Sequence, residues 1–179
     1  MKKLLLSALA ICAFSFSNAQ EDDKSTGGQT DQGSWLIEAN TGFGSGHSAD
    51  TGIRFTSRDG ESVYNFGLEG GYFVMDNLAV KAGLGYGGSS VEGALSRFSY
   101  KVGAKYYIMG MIPVSADLNG ASIEDADENP MYLGLGAGYA WFVGNNVSIE
   151  PGLRYNATMN DKADAEGNLQ FNIGFALHF

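Results

Sequence analysis

Eight stretches of this chain place an apolar residue at every second position. The clearest is 71–88, GYFVMDNLAVKAGLGYGG. Tyr72 and Val74 lead to a break at Met75-Asp76-Asn77. Leu78, Val80, Ala82, Leu84 and Tyr86 then alternate with Ala79, Lys81, Gly83 and Gly85. A two-residue period sends successive side chains to opposite faces of a β-strand, and a short Asp-Asn break between two such runs marks a tight hairpin.

The same pattern defines strands over 34–43, 63–74, 98–108, 112–118, 131–142, 147–156 and 169–179. Pro113 sits near a strand start, where a missing N–H is best tolerated, and Pro151 is expected to interrupt the seventh strand. Most of the stretches approach the ~9–11 residues that a tilted strand needs to cross a bilayer. Connections alternate between short (75–77, 109–111, 143–146) and long (44–62, 88–97, 119–130, 157–168). That asymmetry is expected of an up-and-down barrel with two unlike ends.

Alternation does not say which face meets water, since soluble eight-stranded barrels put their apolar face inside. Two features favour the inverse arrangement. The other face of the sixth stretch is Gly134, Gly136, Gly138 and Ala140, which suits a narrow interior better than a solvated exterior. On the apolar face, Trp35, Tyr72, Tyr106, Trp141 and Phe179 fall at the short-turn end. Phe43, Tyr64, Tyr86, Phe98, Tyr155 and Phe171 fall towards the long-loop end, with aliphatic residues between. Two aromatic belts around an aliphatic band match the two interfaces of a membrane.

The final stretch, NLQFNIGFALHF, has apolar residues at alternate positions up to Phe179 and resembles the C-terminal assembly signal of small bacterial outer-membrane β-barrel proteins. GYFVMDNLAVKAGLGYG resembles the second hairpin of that family's generic barrel domain. The family includes the transmembrane part of outer-membrane protein A and the protein X adhesin group. The likeness covers 34–179 and implies an all-β fold, an eight-stranded antiparallel up-and-down transmembrane barrel. It also implies an outer-membrane location and recognition of Phe179 by the barrel-assembly machinery. It carries no catalytic motif.

Ahead of the barrel, Met1-Lys2-Lys3, the apolar run 4–16 and Ser17-Asn18-Ala19 make residues 1–19 a cleavable signal peptide. Residues 20–33, QEDDKSTGGQTDQG, are expected to form a flexible polar leader on the periplasmic side. Cys12 is the single cysteine and lies within the signal, so the mature chain has neither a disulfide nor a thiolate metal site. Loss of Lys2 and Lys3 takes 11 basic residues to 9 against 20 acidic ones, an acidity that argues against nucleic acid as a partner.

Parity then assigns eight charges to the interior: Glu38, Glu69, Lys81, Lys101, Lys105, Asp117, Glu150 and Arg154, four acids and four bases. Lone buried charges cost several kcal/mol, so these should pair, plug the interior and hold the strand register. A polar path that conducts is the competing reading.

Elsewhere, His47 lies in GSGHSAD beside Ser45, Ser48 and Asp50, yet a Gly/Ser-rich loop is a poor support for a catalytic triad. His178, on the lumen face at the periplasmic end, is expected to be a plain rim residue. The acidic loops 123–130 and 160–168 lack calcium-loop spacing, so no metal and no cofactor is expected. Arg54 and Arg58 in the first long loop could meet lipopolysaccharide phosphates, or the loop could extend a strand above the membrane and offer an edge to partners. The favoured function is a monomeric, non-enzymatic envelope protein that contacts outer-membrane lipid and lipopolysaccharide and offers its loops to a surface ligand. A narrow or gated channel is the second reading, and a lipid-modifying enzyme is the third.

Overall fold

The computed structural model describes residues 28–43, 51–58, 60–91, 93–124, 129–160 and 167–179. The expected signal peptide lies outside them. Ten strands run through the described residues: β1 (Trp35–Phe43), β2 (Arg54–Arg58), β3 (Glu61–Met75), β4 (Leu78–Ser89), β5 (Arg97–Ile108), β6 (Ile112–Ile123), β7 (Met131–Gly138), β8 (Trp141–Phe142), β9 (Val147–Thr158) and β10 (Asn168–His178). All pairs are antiparallel. The sheet closes on itself because β1 pairs with β10 along one edge and with β3 along the other. With β8 continuing β7, and β2 extending the sheet beside β3 at the loop end, the molecule is a closed antiparallel barrel of eight strands.

The tight turns follow from their residues. Asn77 has φ 66°, a left-handed conformation that a short amide side chain tolerates. The next turn, 109–111, takes φ 54° at Met109 and 72° at Gly110, two successive positive values between the Ile108 carbonyl and the Met111 N–H that it binds, with the cost falling on Met109.

Four strand boundaries differ from the sequence expectation. β6 runs on to Ile123 rather than ending at residue 118, since the outward Gly120 and Ser122 hide its alternation. β2 lies within the segment 44–62 read as a loop, pairing Phe55 with Tyr64. The sixth stretch is split at Tyr139-Ala140 into β7 and β8, whereas β9 passes through Pro151 unbroken. The last two have one cause. Tyr139 donates its N–H to the Pro151 carbonyl at 3.0 Å, but Pro151 has no N–H to return to Tyr139. The ladder therefore fails in the partner strand.

Residues 28–33, expected to belong to a flexible leader, form a strap across the short-turn end. Gly33 N–H donates to the Phe73 carbonyl at 2.9 Å, and Asn77 N–H to the Thr30 carbonyl at 2.7 Å. Gln32 N–H reaches Asp76 Oδ1 at 3.0 Å, and Gln29 Nε2 reaches the Gly144 carbonyl at 2.6 Å. The turns at 75–77 and 143–146 thus give this polar segment the partners it would otherwise take from water.

Outside, the barrel is apolar. Trp35, Tyr72, Tyr106, Trp141 and Phe179 are exposed at the turn end, and Tyr86, Phe98, Tyr155 and Phe171 towards the loops; Tyr64 is half-buried. The Phe43 side chain lies outside the described residues. Phe66, Tyr100 and Phe175 are exposed too, so the aromatic rings are not confined to the eleven expected positions.

Candidate functional site: the charged interior

Inward positions alternate with outward ones on every strand, so each inward charge is set by its strand's register. The structure brings six of the expected residues into one chain of alternating charge. Lys101 on β5 meets Glu69 on β3 at 2.5 Å, and Glu69 meets Lys81 on β4 at 2.9 Å. Lys81 reaches Glu38 on β1 at 2.6 Å, and Glu38 reaches Lys105 on β5 at 2.7 Å. Lys105 then contacts Glu150 on β9. The remaining two form a separate pair. Arg154 grips Asp117 with both terminal nitrogens, Nη1 to Oδ2 at 2.7 Å and Nη2 to Oδ1 at 2.5 Å.

Such charges are tolerable inside a barrel only when every one has a partner, and here neutral groups supply the rest. Asn40 donates to Glu38, Tyr107 and Ser148 donate to Glu150, and Arg154 Nε donates to Asn156. Two glycines make the crowding possible. A Cβ on Gly134 would lie 1.9 Å from Arg154 Nη2, so the guanidinium lies flat against bare backbone. A Cβ on Gly67 would lie 2.2 Å from the Thr51 carbonyl oxygen.

That second approach narrows the interior at the loop end. Thr51 and Gly52, from the segment read as a loop, dip into the interior, where Thr51 is 1% exposed and donates to Glu69 Oε1 at 2.6 Å. Ile53 N–H reaches the Asn40 carbonyl, and Asn65 Nδ2 donates to the Gly52 carbonyl. The turn end is closed by aromatic packing beneath the strap. Phe73 and Tyr107 are fully buried, and Phe142 packs against them.

His178 belongs to that closure and is not a plain rim residue. It is 1% exposed, with ring centroids of Phe142, Tyr107 and Phe73 at 5.4, 6.0 and 6.2 Å. Inward parity on β10 puts His178 on the lumen face, as expected, and the same parity on β5 could have placed Tyr107 in the interior. No period marks Thr51. A cavity of about 70 Å³ remains beside the ion chain, bounded by Glu38, Lys105, Asp117, Glu150, Arg154 and Gly136. That is room for a few water molecules.

Some expected features lie beyond this site. His47, Ser45, Ser48 and Asp50 fall outside the described residues, as do the Arg58 side chain and most of the two acidic loops. Arg54 sits on β2, paired in register with Asn65. Among the described residues, no group of three His, Cys, Asp or Glu side chains is arranged to hold a metal ion.

Solved structures share this architecture. The N-terminal β-barrel domain of Pseudomonas aeruginosa OprF is similar over 83% of this chain and 98% of its own, at 20% identity and a TM-score of 0.51. The fold is that of the small outer-membrane barrels. The Yersinia pestis outer-membrane protein Ail (13% identity, TM-score 0.50) and Neisserial surface protein A (15%, 0.50) are similar over 83% of this chain and 100% of theirs. No protein-family model and no curated protein sequence matches the chain. At these identities the outer-membrane-barrel likeness carries the fold and no activity.

Proposed function

We propose that the chain spans the bacterial outer membrane with its short turns and strap in the periplasm. It serves there as a closed, non-enzymatic scaffold of the envelope whose long loops meet the surface. The observation that carries this reading is the interior. Six alternating charges run across it, an Arg–Asp pair lies beside them, and Thr51 at one end and the aromatic cluster under the strap at the other narrow it. The exposed apolar wall supports burial in lipid, and the fold's likeness to outer-membrane proteins supports the location. The chain functions as a monomer, delivered through recognition of its final strand and Phe179 by the assembly machinery, with no cofactor and no nucleic acid among its partners.

The test is conductance of the refolded protein in a planar bilayer, with folding confirmed by heat-dependent gel mobility. Wild type should be silent, and Lys101→Ala or Glu150→Ala should lower stability without opening a path. Reproducible current steps in wild type that shift in these variants would establish a channel instead. The 70 Å³ cavity beside the ion chain is the one observation favouring that second reading. For the surface role, replacing Arg54 and Arg58 together by Ala should weaken association with lipopolysaccharide; unchanged association would remove those arginines from the interface. An enzyme would lose a lipid modification on His47→Ala with folding intact, and no such change is expected.

A further inference from the structure

The apolar wall does not stop at the aromatic belt of the turn end. Beyond Tyr72 on β3 the next outward residue is Val74, beyond Tyr106 on β5 it is Ile108, and beyond Trp141 on β8 it is Val143, all exposed. Ile112 stands opposite Ile108 across the turn 109–111 and is exposed as well. The tips then carry methionine: Met75, Met109 and Met111 are exposed, Met109 at 82%. At ~3.4 Å per residue, less for strand tilt, this layer reaches about 5 Å past the belt. Turns that face water usually draw on Asn, Asp, Gly and Ser instead.

The polar groups of these turns are satisfied from within. Asn77 N–H donates to the Thr30 carbonyl at 2.7 Å, and Gly110 and Met111 N–H to the Tyr107 and Ile108 carbonyls at 3.1 Å. Val143 N–H donates to the Val147 carbonyl at 3.0 Å, and the Met111 carbonyl accepts from Ala140 N–H at 2.7 Å. Thr30 Oγ1 donates to Asn77 Oδ1 at 2.6 Å. Backbone that keeps its hydrogen bonds inside the protein can leave water without the penalty of orphaned groups. The strap thus supplies the acceptors that let the first turn be desolvated.

Charge sets the kind of partner. Among the described residues, the turn end carries the carboxylates of Asp31 and Asp76 and no exposed lysine or arginine. Lys81 and Lys105, the basic residues nearest the turns, point inward to Glu38. Nothing there would attract an acidic surface. No polar position intervenes on the outward face from Tyr72 to Met75 or from Tyr106 to Met109, so the tips continue the lipid-facing wall and lack the polar rim of a protein interface. We propose that the turn end is itself seated in lipid: Met75, Met109, Met111 and Val143 enter the boundary between headgroups and acyl chains of the periplasmic leaflet. This inference rests on the outer-membrane reading above and adds what covers the end of the barrel. Interfacial anchors bury their apolar face about 5–10 Å into that boundary, a depth this layer matches. Unbranched thioether chains adapt readily to such surroundings.

The test uses the full chain refolded in zwitterionic phospholipid vesicles, with Cys12→Ser removing its single cysteine. One labelling site is then introduced at a time: Met109→Cys, Val143→Cys, Val102→Cys on the mid-wall, or Thr56→Cys on β2. Emission of a nitrobenzoxadiazole label is read against shallow or deep nitroxide lipids and against aqueous iodide. Labels on Met109→Cys and Val143→Cys should emit at shorter wavelength than that on Thr56→Cys. They should lose most of their emission to the shallow nitroxide and little to iodide, at low and high salt alike. The label on Val102→Cys should answer to the deep nitroxide. Iodide quenching at both tips, with Val102→Cys still answering to the deep nitroxide, would overturn the proposal and leave the spanning barrel standing. Tips shielded from iodide and nitroxide alike would overturn it too, since protein would then cover the turn end. A Val102→Cys label indifferent to both nitroxides would overturn the spanning barrel and the proposal with it.

Discussion

At the scale of single residues, the interior depends on what lies opposite each charge. Gly134 has no tolerance for a side chain, because the Arg154 guanidinium occupies the place of its Cβ. Gly134→Val should expel Arg154 from Asp117 and lower stability by at least about 3 kcal/mol, measured by urea unfolding in micelles. Removing one charge from the chain is also costly. Glu38→Gln leaves Lys81 and Lys105 with only one remaining carboxylate each, and should destabilise by about 3–5 kcal/mol. Replacing Asp117 and Arg154 together by Asn and Leu should cost less than replacing either alone, because no buried charge is left unpaired. A double-mutant cycle reads this directly. The eight charges were legible from strand parity alone. Their partners were not, because the stagger between strands decides which inward residues share a height. Glu38 and Lys105 are 67 positions apart in sequence and share a hydrogen bond.

At the scale of elements, alternation located all eight barrel strands and was least informative where side chains are small. The end of β6 carries Gly120, Ala121 and Ser122, which pair well and signal nothing to a hydrophobic pattern. Proline carried more information than expected, but in the neighbouring strand. Pro151→Ala would return the missing donor opposite Tyr139. It should join β7 to β8, add one slowly exchanging amide and stabilise the barrel by about 1 kcal/mol. No change in exchange at residues 139–141 would show that something other than the proline breaks that ladder. The strap at 28–33 was opaque for a different reason. Its residues are those of a solvated linker, and groups presented by the end of β3, two turns and His178 give it a fixed course.

The whole molecule inverts the usual arrangement, with apolar residues outside and charges within. The sequence could reveal that inversion because, on the sixth stretch, Gly134, Gly136, Gly138 and Ala140 alternate with the larger outward residues. The packing at the two ends was beyond its reach. Thr51 enters the interior from a segment with no periodicity, and the aromatic rings around His178 come from three strands whose stagger the pattern does not give. The expected consequence is a barrel that passes no current.

The ion chain also has a consequence for how the barrel comes together. Its members come from β1, β3, β4, β5 and β9, so it joins strands that are not neighbours and cannot be completed by any one hairpin. A two-residue slip of β4 would keep every side chain on its proper face, yet would carry Lys81 about 7 Å along the axis. Glu38 and Glu69 would then lose a shared cation, although each outward residue still lay on the outer face. Backbone pairing and the apolar wall are nearly blind to such an error, whereas the buried charges are not. The interior therefore acts as a proofreader of assembly, admitting to full stability only the barrel whose strands have all stopped in the correct register.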